Sequence, residues 1–196
     1  HPVPFAEYIP HREFFRMFTS AADLAGNFVA ATTIGVFEVP APGGSYAALP
    51  TICFEVAYDG LMRDSVAAAD GRDSLIMVQT NNATFGYTAE SEQQFAISRI
   101  RAIEHGRSVV HVSTVGVSGF VAPDGTVTGK TGLFTAEQRL GRPVLRHEET
   151  PSDRFGEAPV VVATALLALL VLAAGRVRPR VRLAAEPATP EEHPVA

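Results

Sequence analysis

Cys53, the single cysteine of the 196-residue chain, is the first residue able to do chemistry. It lies near the end of an apolar run, residues 49–54 (LPTICF), with Glu55 two positions on and a helix-like stretch beginning near Tyr58. A thiol at such a strand-to-helix turn can stand above a sheet edge, where the positive end of a helix favours the nucleophilic thiolate. Glu55 can hydrogen-bond across that turn and hold its shape. On spacing alone, the same cysteine equally suits a small buried hydrophobe. Glu7 lies in a stiff, proline-bounded loop, residues 3–10 (VPFAEYIP), beside Phe5 and Tyr8. Burying a carboxylate there is costly without a partner, so Glu7 is either functional or a plain exposed loop residue. Residues 79–86 (QTNNATFG) follow a strand and place Asn81, Asn82 and Phe85 at its end. Strand-end loops of α/β sheets are where ligands bind, although paired asparagines also suit an ordinary turn.

Other chemistries find little support. One cysteine excludes an intramolecular disulfide and any multi-cysteine zinc site. His1, His11, His105, His111 and His147 form no pair at metal-ligand spacing, so no metal or cofactor is expected. No dinucleotide, Walker A or GxSxG motif occurs. Sixteen basic against 21 acidic residues leave a net charge of −5, which argues against a nucleic-acid partner. With 46% hydrophobic and 19% charged residues, the chain is too apolar to be disordered as a whole.

Cys53 needs elements to hold it, and the pattern supplies them. Short apolar strands are expected at 49–54, 75–79 and 108–113, with helices at 58–69 and 91–105 between them. The first helix is stopped by Asp70-Gly71; the second carries Ala96, Ile100 and Ile103 along one face and closes at Gly106. Pro123-Asp124-Gly125 marks a hairpin between 116–122 and 126–128. Residues 39–45 (VPAPGGS) read as a flexible surface loop, and 70–73 and 86–90 as loops. Helices alternating with buried strands, then a hairpin, indicate an α/β fold with a mixed sheet covered by helices.

From Ala158 to Gly175 the chain runs APVVVATALLALLVLAAG without a charge. At 1.5 Å per residue this reaches about 27 Å, enough for a bilayer's hydrocarbon core. Arg176, Arg178, Arg180 and Arg182 follow, which predicts a cytoplasmic C-terminal side and an extracytoplasmic globular part. A buried core helix is the other reading of the run. The expected domains are 1–150 as the globular portion, 158–175 as the transmembrane helix, and 176–196 as a basic, then disordered, cytoplasmic tail. The opening HPVPFAEYIP carries no hydrophobic leader, so the chain is expected to be the C-terminal piece of a longer membrane protein.

Taken together, TICFEVAYDGLMRD, LIMVQTNNATFGYTAESEQQ and SRIRAIEHGRSVVHVSTVGVSGFVAPDG resemble the catalytic half of the carbon–nitrogen hydrolase (nitrilase) superfamily. HPVPFAEYIP and RFGEAP before the apolar span narrow the resemblance to the apolipoprotein N-acyltransferase family, bacterial membrane enzymes that complete lipoproteins. The resemblance covers about residues 1–176. It implies a partial nitrilase-like αββα sandwich followed by one transmembrane helix.

It further implies that Cys53 is the nucleophile, Glu55 shapes its turn, and Glu7 is the glutamate of an FGE-type loop in which Ala6 replaces glycine. Phe54 stands where the family often has tyrosine, so any hydroxyl role there is missing. Phe54, Asn81, Asn82 and Phe85 are the expected substrate contacts. The superfamily's lysine and glutamate base fall before His1, and Lys130, at a hairpin, is no replacement; residues 1–196 alone are thus expected to be inactive. The implied reaction moves an acyl chain from a phospholipid donor through a Cys53 thioester to the N-terminal amine of a diacylglyceryl-lipoprotein. Phe14, Phe15, Met17 and Phe18 could cover a lipid-entry groove or simply pack as an amphipathic helix. The implied setting is the bacterial inner membrane, in a protein that is multi-pass at full length. Two alternatives remain: a nitrilase-type amidase, which would need neither the apolar span nor its arginines, and a non-catalytic membrane-anchored protein of this fold.

Overall fold

The computed structural model describes residues 7–23, 26 and 28–176. Two compact units divide at Gly156, and each is treated on its own. The first unit is built on one six-stranded mixed sheet in sequential order. Its strands are β1 (Phe37–Ala41), β2 (Gly44–Ile52), β3 (Ser74–Thr80), β4 (Val109–Ser113), β5 (Gly119–Val121) and β6 (Val127–Thr128). β2, β3 and β4 run parallel, while the outer pairs are antiparallel. The two parallel crossovers carry α2 (Asp59–Ala67) and α3 (Glu90–Glu104), as parallel strands require. Two five-residue helices, α1 (Arg12–Arg16) and α4 (Pro151–Phe155), complete the unit. The α/β class and mixed sheet agree with the sequence expectation; the described residues hold a single sheet.

Alternation decides which side of the sheet is core. Leu49, Thr51, Ile76, Val78, Val109, His111 and Val121 share one face through the parallel and antiparallel registers, and all are buried. Met62 and Val66 of α2 and Phe95 and Ala102 of α3 belong to the same core. On the opposite face Ile52, Gln79 and Val112 are exposed, and Pro50, Met77 and Phe120 are half-buried. One face of this sheet is covered; the other is buried at Ala48 and Leu75 and open toward Ile52, Gln79 and Val112.

Three local expectations change. Residues 39–45 are not a flexible loop: Phe37–Ala41 pairs with the start of β2, Pro40 opposite Ser45, around a turn at Pro42-Gly43. Proline lacks the N–H of a central strand but is tolerated on an edge strand, which β1 is. Next, Cys53 is not a strand residue; β2 stops at Ile52 and residues Cys53–Ala57 form a 3₁₀ turn before α2. Finally, Ile100 and Ile103 are exposed, and α3 buries Ser91, Gln94, Phe95, Ser98, Arg101 and Ala102 instead. The buried stripe keeps helical spacing, but four of its six residues are polar because it meets hydrogen-bonding groups at the strand ends and at the Cys53 turn.

The second unit contains α5 (Ala158–Arg176), apolar on every side. Its span Ala158–Gly175 is long and apolar enough to cross a membrane, and none of it is buried in the structure. A core helix of a soluble domain would be mostly covered.

Candidate functional site

The parallel strands β2, β3 and β4 end side by side, so their C-terminal continuations meet at one edge of the sheet. β2 delivers Cys53, β3 delivers Thr80, Asn81 and Asn82, and β4 delivers Ser113 and Thr114. Ligand sites of open α/β sheets form at this edge because the chain must leave each strand there in a loop.

Cys53 has φ 53°, a left-handed conformation that a side-chain-bearing residue adopts only when its surroundings hold it. Three contacts do so. Glu55 folds back and its Oε2 accepts from Ile52 N at 2.8 Å, bracketing the cysteine. Behind the turn, the buried Arg101 of α3 donates to the carbonyls of Val56 (2.7 Å) and Ala57 (2.9 Å). The same guanidinium pairs with Asp59 and Glu104. Burial opposes its charge, but hydrogen bonds to the two carboxylates outweigh that, and its pKa is raised. In front, Gln94 Nε2 lies 3.9 Å from Cys53 Sγ.

Gln94 belongs to a buried polar chain. Its Oε1 accepts from Asn82 Nδ2 (2.6 Å) and Thr80 Oγ1 (3.1 Å). Asn82 Oδ1 accepts from Ser113 Oγ (2.5 Å), and Ser113 Oγ accepts from Gly116 N (2.9 Å). Ser91 Oγ, nearby, accepts from Val117 N (2.9 Å). Gly116 has to be glycine: a Cβ there would stand 2.4 Å from Asn82 Oδ1 and Ser91 Oγ and 2.6 Å from Ser113 Oγ.

The remaining expected residues are placed as follows. Phe54 is half-exposed beside Cys53 and meets Tyr58 edge-on at 6.2 Å between centroids. Asn81 is exposed and ties its own loop to the one after β4, its Oδ1 accepting from Ala83 N (3.1 Å) and Thr114 Oγ1 (2.9 Å). Asn82, by contrast, is fully buried. Phe85 is half-buried in a short 3₁₀ turn, Ala83–Phe85. Glu7 is half-buried in a turn, and its carbonyl accepts from Phe28 N at 3.3 Å. A cleft of about 340 Å³ opens beside the turn, lined by Ile34, Pro50, Ile52, Glu55 and Leu61 among others. Among the described residues no cluster of three or more His, Cys, Asp or Glu could hold a metal.

Gln94, Arg101, Ser113 and Gly116 did not emerge from sequence reasoning. Their signal was available in part, since Gln94, Ser98 and Arg101 share a helical stripe with Phe95 and Ala102. A polar residue on a stripe with core residues is either satisfied by a partner or costly.

No family model matches the chain. It is 38% identical over 184 residues to an apolipoprotein N-acyltransferase of Mycolicibacterium smegmatis, a match covering 90% of this chain and 29% of that protein. Proteins of the same name from Ralstonia nicotianae and Rhodopseudomonas palustris are each 30% identical, across 90% and 88% of this chain and 33% and 31% of their own lengths. Among solved structures, an amidase of the nitrilase superfamily from Nesterenkonia is similar with a TM-score of 0.45 and 18% identity, covering 74% of this chain and 53% of that one. The chain spans about a third of the length of the curated relatives it matches. Over about nine-tenths of its length, therefore, the chain is similar in sequence to a part of proteins named apolipoprotein N-acyltransferase.

Proposed function

We propose that Cys53 is the nucleophile of an acyl transfer from a phospholipid to the N-terminal amine of a diacylglyceryl-lipoprotein. The observation that carries this reading is the strained, half-buried Cys53 turn at the C-terminal edge of the parallel strands, held by Glu55 and Arg101. The homologues' name supports the reaction class.

In the proposed first step the thiolate adds to the ester carbonyl of the lipid, a C–S bond forms, and the C–O bond breaks. The lysophospholipid alcohol leaves with a proton. In the second step the lipoprotein amine adds to the thioester carbonyl, the C–S bond breaks, and the amine's proton is lost as the amide forms. A thioester acylates an amine without ATP, so the cycle closes on a free thiolate with no cofactor. The general base and the lysine that would stabilise the oxyanion are assigned, by resemblance, to the part of a longer protein preceding His1. Glu7 is proposed to lie close to the reacting group, and Phe54, Asn81 and Phe85 to border the substrates; Asn82, expected beside them, is buried. The apolar wall of Ile34, Ile52 and Leu61 suits part of an acyl chain.

α5 is proposed as a membrane span with the globular unit on the extracytoplasmic side of a bacterial inner membrane. Both substrates are lipid-bearing, so such an anchor keeps the protein at the membrane that holds them. Exposed Phe14, Met17 and Phe18, with Phe14 edge-on to Phe18 at 5.2 Å, suit a lipid-facing rim.

The test uses the full-length protein with phospholipid labelled in its acyl chains and a diacylglyceryl peptide. Label should be trapped on Cys53 as a hydroxylamine-sensitive thioester, and the amide should form; Cys53→Ser should lose both. Undiminished amide formation by Cys53→Ala would refute the reading.

A further inference from the structure

The polar chain described above has a direction. Gly116 N–H donates to Ser113 Oγ, and the Ser113 hydroxyl in turn donates to Asn82 Oδ1. Asn82 thus presents its oxygen to Ser113 and its NH₂ to Gln94. Gln94, with Oε1 also taken by Thr80, is left with only its NH₂ to face Cys53 Sγ. Every bond in the series Gly116, Ser113, Asn82, Gln94, Cys53 points its proton toward the sulfur. Aligned hydrogen bonds in a low-dielectric interior polarise one another, and Gln94 and Asn82 are both almost fully buried. Donation to a sulfur favours its negative state over the thiol.

We propose that Gln94 is a catalytic hydrogen-bond donor to the Cys53 thiolate, and that Asn82 and Ser113 are positioning residues that fix which end of the Gln94 amide meets the sulfur. This rests on the proposed role of Cys53 as nucleophile. It reassigns Asn82 from a substrate contact to a buried link behind the nucleophile. Asn81, exposed and bonded to Ala83 and Thr114 instead, takes no part in the series. Gly116 serves as the space that lets Asn82, Ser91 and Ser113 converge.

The experiment measures alkylation of Cys53 by iodoacetamide in the full-length protein from pH 6 to 10, located by peptide mass spectrometry. Gln94→Leu should alkylate about five- to tenfold more slowly than wild type near pH 7, the scale of one ordinary hydrogen bond. The deficit should close at high pH, where the thiolate forms without help. Gln94→Glu keeps an acceptor for Thr80 and Asn82 and so tests the same point if the leucine variant fails to fold. It should be slower still, because it turns a carboxylate toward the sulfur. A folded Gln94→Leu or Gln94→Glu with the wild-type profile overturns the proposal, and so does a deficit that persists unchanged at pH 10. If the alkylation profile depends on Gln94 but the wild type transfers no acyl chain, acyl transfer falls and the donor role stands.

Discussion

Arg101 Nε lies 2.7 Å from the carbonyl oxygen of Val56, a residue 45 positions earlier in the chain. The contact lets α3 grip the back of the turn that begins at Cys53, while one helical turn-pair earlier Gln94 meets its front. One helix thus contacts both the side chain of Cys53 and the backbone of the turn that follows it.

Arg101→Met should therefore cost more than an ordinary surface change. It strands the Val56 and Ala57 carbonyls and leaves Glu104 without its cation. The expected loss is about 2–4 kcal/mol, less than a fully buried network because Asp59 is largely exposed. Arg101→Lys keeps the charge but not the fork, and should recover only part of it. Thermal unfolding measures both variants. A Gly-like tolerance of Arg101→Met, with the unfolding midpoint unchanged, would show that the turn does not depend on this contact.

His111 makes the fold acid-sensitive. It is buried in β4 against Phe95, with Nδ1 2.8 Å from Ser98 Oγ, and among the described residues Nε2 has no hydrogen-bond partner. Burial pushes its pKa down to about 4 from 6.5. Between those values the unfolded chain binds a proton that the folded chain refuses, so stability falls as pH falls through the window. The full effect is on the order of 3 kcal/mol, reached near pH 4. Unfolding midpoints measured from pH 7 to 4.5 should drop for wild type and stay flatter for His111→Gln. Asp153, bonded to His105 at 2.5 Å, acts in a lower window. Burial alone would raise its pKa, but the His105 and Thr150 hydrogen bonds hold it below 3.8, so its contribution is lost only at more acid pH.

The span Ala158–Gly175 should insert into a bilayer as an isolated test segment in a translocation assay. A single Leu167→Arg should lower insertion, since a central arginine costs about 3 kcal/mol on insertion scales. If the wild-type segment passes through to the lumen uninserted, α5 needs another role, such as packing against a partner helix.

The α/β class, the three central strands, the two helices between them and the position of Cys53 at a strand end were legible in residue order alone; that the strands run parallel came from the structure. Apolar runs, helical spacing and glycine stops are local signals, and Asp70-Gly71 and Gly106 end their helices as expected, both glycines at positive φ. The hairpin at residues 37–52 was hidden because Pro40, Pro42 and two glycines look like a loop until pairing with β2 places them on an edge. The buried face of α3 was hidden too, since Ala96, Ile100 and Ile103 satisfy the helical period as well as Gln94, Ser98 and Arg101 do. Hydrophobicity alone selects the isoleucines. Only the assembled sheet reverses that choice, by presenting the carbonyls of Val56 and Ala57, the hydroxyl of Thr80 and the sulfur of Cys53 to one side of a helix that begins 37 positions beyond the cysteine. Residue types and local spacing determined which elements form; strand register and the approach of α3 decided which polar groups meet, because a hydrogen bond needs atoms within about 3 Å and chain order sets no such distance.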